Sequence, residues 1–483
     1  MALTQKLIPA IILLIFSYQS YSQNHALTVK NGSFEVDKNL SLIIWHTPNI
    51  DSTLVALNKA NTIQFHEEYH IIKHNETNQN SSKIKLISNN ERVFNLYLSS
   101  LPIVSLNINH EISNDVKKPS NFTYFDKTKI INHLAGIEHR GNSSLSYPKK
   151  NYDLEFWTDS ISKKSEDIKF LDLRNDDDWI LDGLYDEPLL LRSYTANTLW
   201  KKIHTPYYNL KEPKAKSSIG GHFVEVFKNN NYLGVYSLTE AVDRKLLKLQ
   251  KNKKDSIRGE LFKATSYEEA SSFSEAPAFK NIFPHWAGFE MRYPITDYTS
   301  HWNDLYELVK LTATMGDQEF INTISQKIDL NNCIDYYIFI NLLYATDNIS
   351  KNYYLAKYDS KSPYFFVPWD LDGVLGNNPE GKRLNENNQL ITNKLFDRLI
   401  KLNPENFNTK MQSRWAELRA SNLKLTTLLA NIEELYNRFL SEKIYERNLL
   451  VWKTEHDLNA NYDYLKKWLT QRIEFLDSYF KTL

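Results

Sequence analysis

The sequence predicts an α+β protein, and two hydrophobic patterns along its 483 residues carry that prediction. Between about residues 23 and 265, short apolar runs alternate with polar turns, which is typical of β-strands. From about residue 301 onwards, apolar residues recur at steps of three and four, which is typical of amphipathic helices. The length allows two or three domains, each with its own core. We therefore expect a β-rich first half and a helical second half.

The first 22 residues have the composition of a secretory signal peptide. Lys6 gives a positive start, residues 7–16 are apolar, and small residues at 20–22 provide a cleavage site before Gln23. The apolar run is short for a spanning helix, although an uncleaved N-terminal anchor is an alternative. No other stretch reaches about 18 uncharged apolar residues. The mature protein is expected to be exported, to the periplasm, cell surface or medium, with no stable membrane span.

Residues 23–100 are predicted to form a small all-β module. Apolar runs at 40–45, 83–87 and 93–98 are separated by Asn- and Ser-rich segments. This spacing is typical of short strands joined by turns. A role for the module in adhesion or packing rests on its position alone.

Composition argues against several classes of partner and site. The 58 basic residues balance 58 acidic ones, which argues against nucleic acid as a partner. Only 13 glycines are present, with neither a G-x-G-x-x-G nor a Walker loop. Cys333 is the single cysteine and lies in an apolar run, so we expect a buried hydrophobic role and no intramolecular disulfide. The 13 histidines show no zinc-ligand spacing.

Strand patterns extend from residue 101 to about 265. The clearest ones lie at 101–108, 147–156, 223–227, 232–238 and 259–263. Lys228 and three asparagines join the third and fourth runs, which predicts a hairpin turn. The segment 138–144 is a polar turn that presents Arg140. It could be a solvated hairpin, or it could hold an anion with backbone N–H groups.

Helical patterns interrupt the strand region and dominate the chain from about residue 301. The Asp-Glu-Pro sequence at 186–188 predicts a helix start, with the helix continuing to about Lys202. A short helical stretch is expected from about Asp243. Residues 301–345 and 394–483 have helical periodicity, and the Met and aromatic residues of the last segment are expected to be core.

Two neighbouring acidic segments carry the strongest chemical signal. Asp347 and Asn352 are five positions apart, and the strand-like run 364–368 then leads to Asp370 and Asp372. One carboxylate that accepts a proton, followed by an amide and carboxylates that bind Mg²⁺, is the set that phosphoryl transfer requires. The alternative is structural, because Asp and Asn also favour turns.

The order of these elements resembles that of the CotH kinase family, atypical secreted or surface kinases distantly related to protein kinases. The matching segments are HRGNSSLSYPKKNYDLEFW (139–157), DWILDGLYDEPLLLRSYTANTLW (178–200), VEVFKNNNYLGVYSLTEAVD (224–243), GELFKAT (259–265), TDNISKN (346–352) and FFVPWDLDGVLG (365–376). The resemblance covers roughly residues 101–480. It implies an atypical protein-kinase-like fold, with an antiparallel β-rich N-lobe at about 101–265 and a mostly helical C-lobe at 266–483.

The resemblance also implies roles for the acidic residues. Asp347 would orient an acceptor hydroxyl and take its proton. Asn352 and Asp370 would bind metal, and Asp372 would assist a second metal ion or orient the first ligands. Such oxygen ligands suit Mg²⁺ or Mn²⁺ beside ATP rather than zinc.

Contacts to the nucleotide phosphates are implied for four basic residues. Arg140 and its turn lie where protein kinases have their glycine-rich loop, and Lys150 or its neighbour Lys149 would reach the phosphates. Because side chains alternate along a strand, only one of the two lysines can point inward. Lys263 is an alternative phosphate contact. Each of these basic side chains could instead be solvated surface.

Two glutamates complete the implied nucleotide site. Glu187 would pair with the phosphate-binding lysine, and Glu240, just past the second hairpin strand, would contact adenine or ribose. The sequence departs from ordinary protein kinases, because no His-Arg precedes Asp347 and Asp-Leu-Asp replaces Asp-Phe-Gly. The CotH family shares these departures, and the complete acid set argues against an inactive relative.

The expected function is that of an exported CotH-like atypical kinase. It would transfer the ATP γ-phosphoryl group to Ser or Thr hydroxyls of surface or secreted proteins, with Mg²⁺ or Mn²⁺. One alternative is a non-catalytic structural or binding protein of the cell surface that keeps the fold. Another is a metal-dependent hydrolase or transferase that acts on a carbohydrate or a phosphate ester.

Overall fold

The computed structural model describes residues 26–72, 81–253, 256–279, 283–295, 301–453 and 457–483. Within these ranges the chain is mixed α+β, as predicted, with most strands before residue 294 and most helices after residue 302. None of the described helices is long and apolar enough to cross a membrane. The expected signal peptide, residues 1–22, lies outside the described residues.

The first part of the described chain is a seven-stranded sheet. Its strands are β1 (Ala26–Thr28), β2 (Phe34–Asp37), β3 (Leu42–His46), β4 (Thr62–Gln64), β5 (Glu68–Ile71), β6 (Lys83–Ser88) and β7 (Val93–Ser99). Their order across the sheet is β1-β4-β5-β6-β7-β3-β2. The pairs β1–β4 and β3–β7 are parallel, and the other neighbours are antiparallel.

The same part contains a helix, so the prediction of an all-β module is wrong there. Helix α1 (Ile50–Lys59) connects β3 to β4, which are separated by three other strands in the sheet. The Asn49 side chain caps it by accepting the Ser52 N–H at 2.9 Å. The helix buries Leu54 and Leu57, and an apolar face of two residues is too short to stand out as a period in the sequence.

A closed barrel follows the first sheet. The strands of this region are β8 (Ile103–Asn107), β9 (Lys118–Phe125), β10 (Ile130–Arg140), β11 (Asn151–Trp157), β12 (Ile168–Lys169), β13 (Asn175–Asp176), β14 (Asp178–Asp182), β15 (Gly221–Lys228) and β16 (Asn231–Thr239). Strands β12 and β13 pair with each other, and the other seven close in the order β10-β11-β14-β16-β15-β8-β9. Buried aromatic and aliphatic side chains such as Phe156, Trp179 and Tyr236 fill the interior.

Strand register brings two charged residues to one rim of this barrel. Arg140 at the end of β10 pairs with Asn151, and Tyr152 beside it pairs with Leu181 of β14. Asp182, the last residue of β14, therefore emerges at the same rim as Arg140.

The remaining strands form a five-stranded sheet. They are β17 (Glu260–Ala264), β18 (His285–Trp286), β19 (Phe289–Tyr293), β20 (Tyr353–Lys357) and β21 (Tyr364–Pro368), ordered β18-β19-β17-β20-β21. Strands β20 and β21 are a hairpin, in which Tyr353 pairs with Pro368. Consequently, the segments just before β20 and just after β21 meet at one end of the sheet.

Helices surround that sheet, and all of them except the short one at Arg244–Leu247 share one large apolar core with it. They are α2 (Arg192–Ile203), α3 (Arg244–Leu247), α4 (Asn303–Ala313), α5 (Asp317–Lys327), α6 (Leu330–Leu343), α7 (Lys394–Leu402), α8 (Phe407–Ala420), α9 (Leu425–Ser441), α10 (Ile444–Val451) and α11 (Leu458–Lys481). Cys333 lies buried within α6, as expected.

Helix α2 begins at Arg192, later than the predicted start at 186–188. The Glu187 carboxylate accepts the N–H groups of Leu189 and Arg192, each at 3.0 Å, ahead of the first helical turn. These bonds satisfy donors that a helix start leaves free, so the acidic residue caps the helix from outside instead of opening it.

The first sheet is attached to helices α9 and α10 near the other end of the chain. Ser82 Oγ donates to the Ser441 carbonyl at 3.0 Å, and Tyr97 Oη donates to Glu446 Oε1 at 2.9 Å. The Ser100 N–H donates to Glu442 Oε2 at 3.0 Å. Polar contacts therefore hold together segments that are more than 340 positions apart.

Candidate active site

The turn that carries Asp347 is held in place by a buried amide. Helix α6 ends at Leu343, and a single turn of 3₁₀-helix spans Asp347–Ile349. The buried Asn348 side chain donates to the carbonyls of Asn352 at 2.6 Å and Trp369 at 2.7 Å. Tyr336 Oη donates to the Asn348 carbonyl at 2.5 Å. This amide therefore ties the Asp347 turn to the segment that contains Asp370.

Asn352 and Asp370 both have left-handed backbone conformations at the end of the β20–β21 hairpin. Their φ angles are 56° and 57°. The Trp369 N–H donates to the Asn352 carbonyl at 3.0 Å, and the Asn352 N–H donates to the Ala264 carbonyl of β17 at 3.0 Å. Such conformations are uncommon outside glycine and concentrate at functional sites, where surrounding contacts maintain them.

Both carboxylate oxygens of Asp347 have partners. Tyr267 Oη donates a short hydrogen bond to Oδ1. On the other oxygen, Oδ2, Lys351 Nζ approaches to 3.1 Å and Asn352 Nδ2 to 3.4 Å. The acid and the amide of the D-N-x-x-x-N segment are thus in direct contact across their five-residue spacing.

Four carboxylates, which we call the acid cluster (Asp182, Asp347, Asp370 and Asp372), influence one another electrostatically. Desolvation raises the pKa of Asp372 well above its ordinary value, and Asp370 and Asp182 raise it further. Desolvation by the surrounding protein also raises the pKa of Asp370, although its side chain is open to solvent, and Asp347 adds to that shift. Burial and Asp370 likewise raise the pKa of Asp182. The folded chain therefore disfavours the charged forms of Asp182, Asp370 and Asp372.

Basic side chains face the acid cluster from the barrel rim, from β17 and from the Asp347 turn. Lys263, Arg140 and Lys351 each oppose the upward shift in the pKa of Asp370. Arg140 Cζ lies 5.6 Å and Lys263 Nζ 5.8 Å from the centre of the Trp369 ring. Burial lowers the pKa of Lys263, and the neighbouring Arg140 lowers it further. Cations crowded together in this way would gain stability from an anionic ligand such as a phosphate.

A protein-family model described as CotH kinase protein matches residues 137–476, which is well over half of the chain. The chain belongs to the CotH kinase protein family. The match includes every member of the acid cluster and the basic residues around it, and it begins after the seven-stranded sheet. The search of curated proteins found no match to this chain. The resemblance inferred from the sequence is therefore confirmed at the level of the CotH family.

Among the residues that the CotH resemblance suggested for nucleotide binding, Lys149 has structural partners. Its side chain is buried, and Nζ donates to the Val235 carbonyl at 2.6 Å and to Asn448 Oδ1 at 3.1 Å. Burial lowers the pKa of Lys149 to about 7, against the opposing charges of Asp182 and Glu225. Its ammonium lies among barrel and α10 groups, so the structure does not bring it to the surface where phosphates would bind.

Lys150 and Glu240 also differ from the expectation taken from the CotH resemblance. Lys150 Nζ folds back onto the Leu145 carbonyl of its own turn. Glu240 is fully buried and accepts the N–H groups of Arg174 at 2.8 Å and Gly220 at 2.7 Å, in addition to the Lys216 ammonium. These donors occupy the carboxylate that was expected to contact adenine or ribose.

Glu187 pairs with Arg192, within its own helix start, instead of with Lys149 or Lys150. The pairing is local because both residues belong to the capped start of α2, where Glu187 also accepts backbone N–H groups. The expected lysine–glutamate pair of a protein kinase is therefore not formed between these residues of this CotH protein.

Sequence reasoning missed three residues of the site: Asp182, Lys351 and Tyr267. Asp182 and Lys351 lie within two of the quoted CotH segments, so sequence reasoning found the segments but gave these two residues no role. For Asp182, the only available signal was its position at the end of a strand. Tyr267 lies just outside any motif, and its contact with Asp347 spans 80 positions of sequence.

Proposed function

We propose that this protein is an exported CotH-like kinase that transfers the γ-phosphoryl group of ATP to Ser or Thr hydroxyls of surface or secreted proteins. The observation that carries the proposal is the joining of Asp347 and Asp370 in one charged site with Lys351 acting on both. Such a site combines a proton acceptor, oxygen ligands for a cation and positive charge for phosphates, which are the parts that phosphoryl transfer needs.

The proposed architecture is that of an atypical protein kinase with two lobes. The barrel would serve as the β-rich N-lobe, and the five-stranded sheet with helices α4–α11 would serve as the C-lobe. In this arrangement Arg140 and Asp182 reach the site from the barrel, and Lys263, Asp347 and Asp370 reach it from the sheet.

We also propose that this site binds a divalent cation such as Mg²⁺ or Mn²⁺. Asp182 and Asp372 each accept a backbone N–H from a residue one or two positions further on, at 3.1 and 2.7 Å. Desolvation, and secondly neighbouring carboxylates, raise the pKa values of Asp182, Asp370 and Asp372, and a bound cation would favour their charged forms. Asn352, Asp370 and Asp372 would hold the ion, which supplies charge neutralisation at the phosphates when bound.

The remaining roles follow from the contacts of each side chain. Asp347 would accept the proton of the acceptor hydroxyl, and Lys351 would hold that carboxylate in position while contributing positive charge. Lys263 and Arg140 would bind phosphate oxygens, because both face the acid cluster and lie over Trp369. The proposal does not include Lys149, Lys150 or Glu240, whose polar atoms already have protein partners.

The experiment that tests the proposal is incorporation of label from γ-phosphate-labelled ATP with Mg²⁺ or Mn²⁺. The chain from residue 23 onward is compared with Asp347→Ala and Asp370→Ala, and with Asp317→Ala as a matched control. Asp317 is an exposed carboxylate at the start of α5 that pairs with Arg398 of α7 at 2.9 Å. Label that both site variants lose and the control keeps is the expected result.

Two results would contradict the proposal. Label that persists in Asp347→Ala would exclude Asp347 as the proton acceptor. Absence of label, together with no rise in melting temperature on adding Mg²⁺-ATP, would favour a binding protein that keeps the fold without catalysis.

A further inference from the structure

Tyr267 supplies a hydroxyl to the carboxylate that we propose as the proton acceptor. Its Oη donates a short hydrogen bond to Asp347 Oδ1, while the residue as a whole is 57% exposed to solvent. Within the described part of the chain, Tyr267 is the residue whose hydroxyl donates to Asp347. This contact lies between the loop after β17 and the turn after α6, so tertiary structure rather than local sequence creates it.

The loop that carries Tyr267 is braced by hydrogen bonds. Ser271 Oγ donates to the Ser266 carbonyl at 2.7 Å, which closes the loop around Tyr267. Tyr353 Oη, from within the core, donates to the Ser271 carbonyl at 2.6 Å. The Thr265 N–H donates to the Gly288 carbonyl at 2.8 Å. The Tyr267 side chain therefore projects from a fixed base towards Asp347.

Positive charge lies beside this hydroxyl. Lys351 Nζ is 5.6 Å from the centre of the Tyr267 ring and 3.1 Å from Asp347 Oδ2. Burial and the hydrogen bond to Asp347 raise the pKa of Tyr267, so the hydroxyl keeps its proton at neutral pH. A protonated hydroxyl on the catalytic carboxylate, with a cation close by, is the arrangement of an acceptor that awaits the phosphoryl group.

We propose that Tyr267 is the protein's own first phosphate acceptor, modified by the same chain's active site. The inference rests on the kinase function proposed above and extends its acceptors from Ser and Thr hydroxyls to one tyrosine hydroxyl within the chain.

The step balances with a nucleoside triphosphate as co-reactant. Tyr267 Oη forms a bond to the γ-phosphorus, and the bond between that phosphorus and the β,γ-bridging oxygen breaks. The bridging oxygen keeps the electron pair and leaves with the nucleoside diphosphate. The proton of the Tyr267 hydroxyl passes to Asp347 Oδ1, the oxygen to which it is already bonded.

Modification at this position would also change access to the site. A phosphorylated Tyr267 has no hydroxyl proton to donate, and its negative charge repels the Asp347 carboxylate. Lys351 lies close enough to attract the new phosphate. Transfer to Tyr267 would therefore release Asp347 for an external Ser or Thr hydroxyl, and the free enzyme would be slow until it has modified itself.

The test follows both Tyr267 and an external acceptor, casein, in one reaction with labelled ATP and Mg²⁺ or Mn²⁺. Phosphate on Tyr267 is located by fragmentation of the tryptic peptide 264–280, which also contains serines and a threonine. We expect Tyr267 to be labelled at a fractional rate that does not depend on protein concentration. An Asp347→Asn chain mixed with the wild type should remain unlabelled at Tyr267, because transfer occurs within one chain.

Tyr267→Phe removes the hydroxyl and keeps the ring. Wild-type protein should phosphorylate casein after a lag, and the Phe variant should do so without one. Its initial rate should be about tenfold higher, which corresponds to the loss of one hydrogen bond to a charged group. Tyr194→Phe is the matched control, because Tyr194 is a partly exposed tyrosine on α2 at 38% exposure. This control should behave as the wild type.

Three other outcomes would overturn the inference, and the experiment tells them apart. Casein labelling that depends on Asp347 and Asp370, with Tyr267 unmodified, leaves the kinase in place and removes Tyr267 as its acceptor, whatever the rate of the Phe variant. Label on Tyr267 of the Asp347→Asn chain excludes transfer within one chain. Absence of label on any protein removes the proposed kinase function and this inference together.

Discussion

Two groups of ionised side chains in this protein are built in opposite ways. Around Glu225 and Arg447, both fully buried, every charge meets a partner. Glu225 Oε1 accepts Arg447 Nε at 2.8 Å and Ser99 Oγ at 2.7 Å, and Oε2 accepts Tyr232 Oη at 2.6 Å. In the acid cluster, by contrast, desolvation raises the pKa values of Asp182, Asp370 and Asp372, and neighbouring carboxylates raise them further. Nearby cations only partly oppose the shifts of Asp182 and Asp370.

The difference separates charge that maintains the fold from charge that is available to a ligand. The Glu225–Arg447 pair joins β15 of the barrel to α10, with Ser99 of the first sheet as a third member. Such a group is nearly neutral and has no capacity left for a ligand. The acid cluster places carboxylates with raised pKa values beside basic side chains, which costs stability and is the kind of arrangement that we propose for binding a cation and a phosphate.

The largest change in stability should come from breaking the buried Glu225–Arg447 ion pair. Glu225→Gln leaves the Arg447 guanidinium buried without its counter-charge, so the free energy of unfolding should fall by about 3–5 kcal/mol. Urea unfolding measures the loss. Glu417→Gln is the control, since that exposed carboxylate bonds Arg414 at 2.8 Å and should cost no more than about 1 kcal/mol. Equal losses in the two variants would refute a special role for the buried pair.

A pH-dependent change in stability should come from Lys149, which interacts electrostatically with Asp182 of the acid cluster and with Glu225. Burial lowers the pKa of Lys149 to about 7, so between pH 7 and about 10 the unfolded chain binds a proton that the folded chain does not. Wild-type stability should therefore rise with pH relative to Lys149→Met, by up to about 1.4 kcal/mol per pH unit. Below pH 7 the difference should level off, because lysine is protonated in both states.

Urea unfolding at pH 6, 8 and 9 measures this difference. Lys150→Met removes the neighbouring lysine from the same turn and serves as the matched control. If both variants changed the pH dependence equally, the effect would belong to the turn and not to the buried ammonium of Lys149.

The smallest change in stability should come from removing one negative charge from the acid cluster. Unlike Glu225→Gln, this change should stabilise the protein. Asp182→Asn keeps an acceptor for the Leu184 N–H but removes one negative charge, so stability at neutral pH should increase by up to about 1 kcal/mol. A raised pKa of Asp182 means that the folded chain disfavours the charge. The gain should therefore vanish below about pH 4, where Asp182 is protonated in folded and unfolded chains.

Thermal melts at pH 7 and pH 3.5 compare Asp182→Asn with the wild type. Asp317→Asn, which removes an exposed paired carboxylate, is the control and should not raise the melting temperature. A lower melting temperature for Asp182→Asn at pH 7 would show that the Asp182 charge stabilises the fold, as the Glu225 charge does.

Sequence alone could place the acid and amide positions of the site, because Asp347, Asn352, Asp370 and Asp372 lie in two segments joined by one hairpin. Local spacing determines where such residues meet. The contributions of Asp182 and Tyr267 depend on barrel register and on a loop 80 positions from Asp347, which no local pattern records.

The sequence-based roles of Lys149 and Glu240 show a second limit, because side chains at suitable positions in the sequence can already have partners in the fold. Lys149 and Glu240 stand at suitable places along the chain, yet their side chains bond to Val235, Asn448, Arg174 and Gly220 in the interior. A strand pattern predicts which face a side chain takes, but it does not reveal whether a partner from a distant element already occupies that side chain. Helix α1 was not predicted because only two of its residues, Leu54 and Leu57, are buried, which is too few to give a helical period.

The contacts between the first sheet and helices α9 and α10 have a consequence for biogenesis. Ser82, Tyr97 and Ser100 bond to Ser441, Glu446 and Glu442, residues made long after them during N- to C-terminal synthesis. These polar groups on and beside the interior strands β6 and β7 must therefore remain without those partners until nearly the entire chain has emerged from the ribosome. Contacts of such sequence separation slow folding and prolong exposure to aggregation. A chaperone that shields residues 82–100 during this interval would increase the yield of native protein.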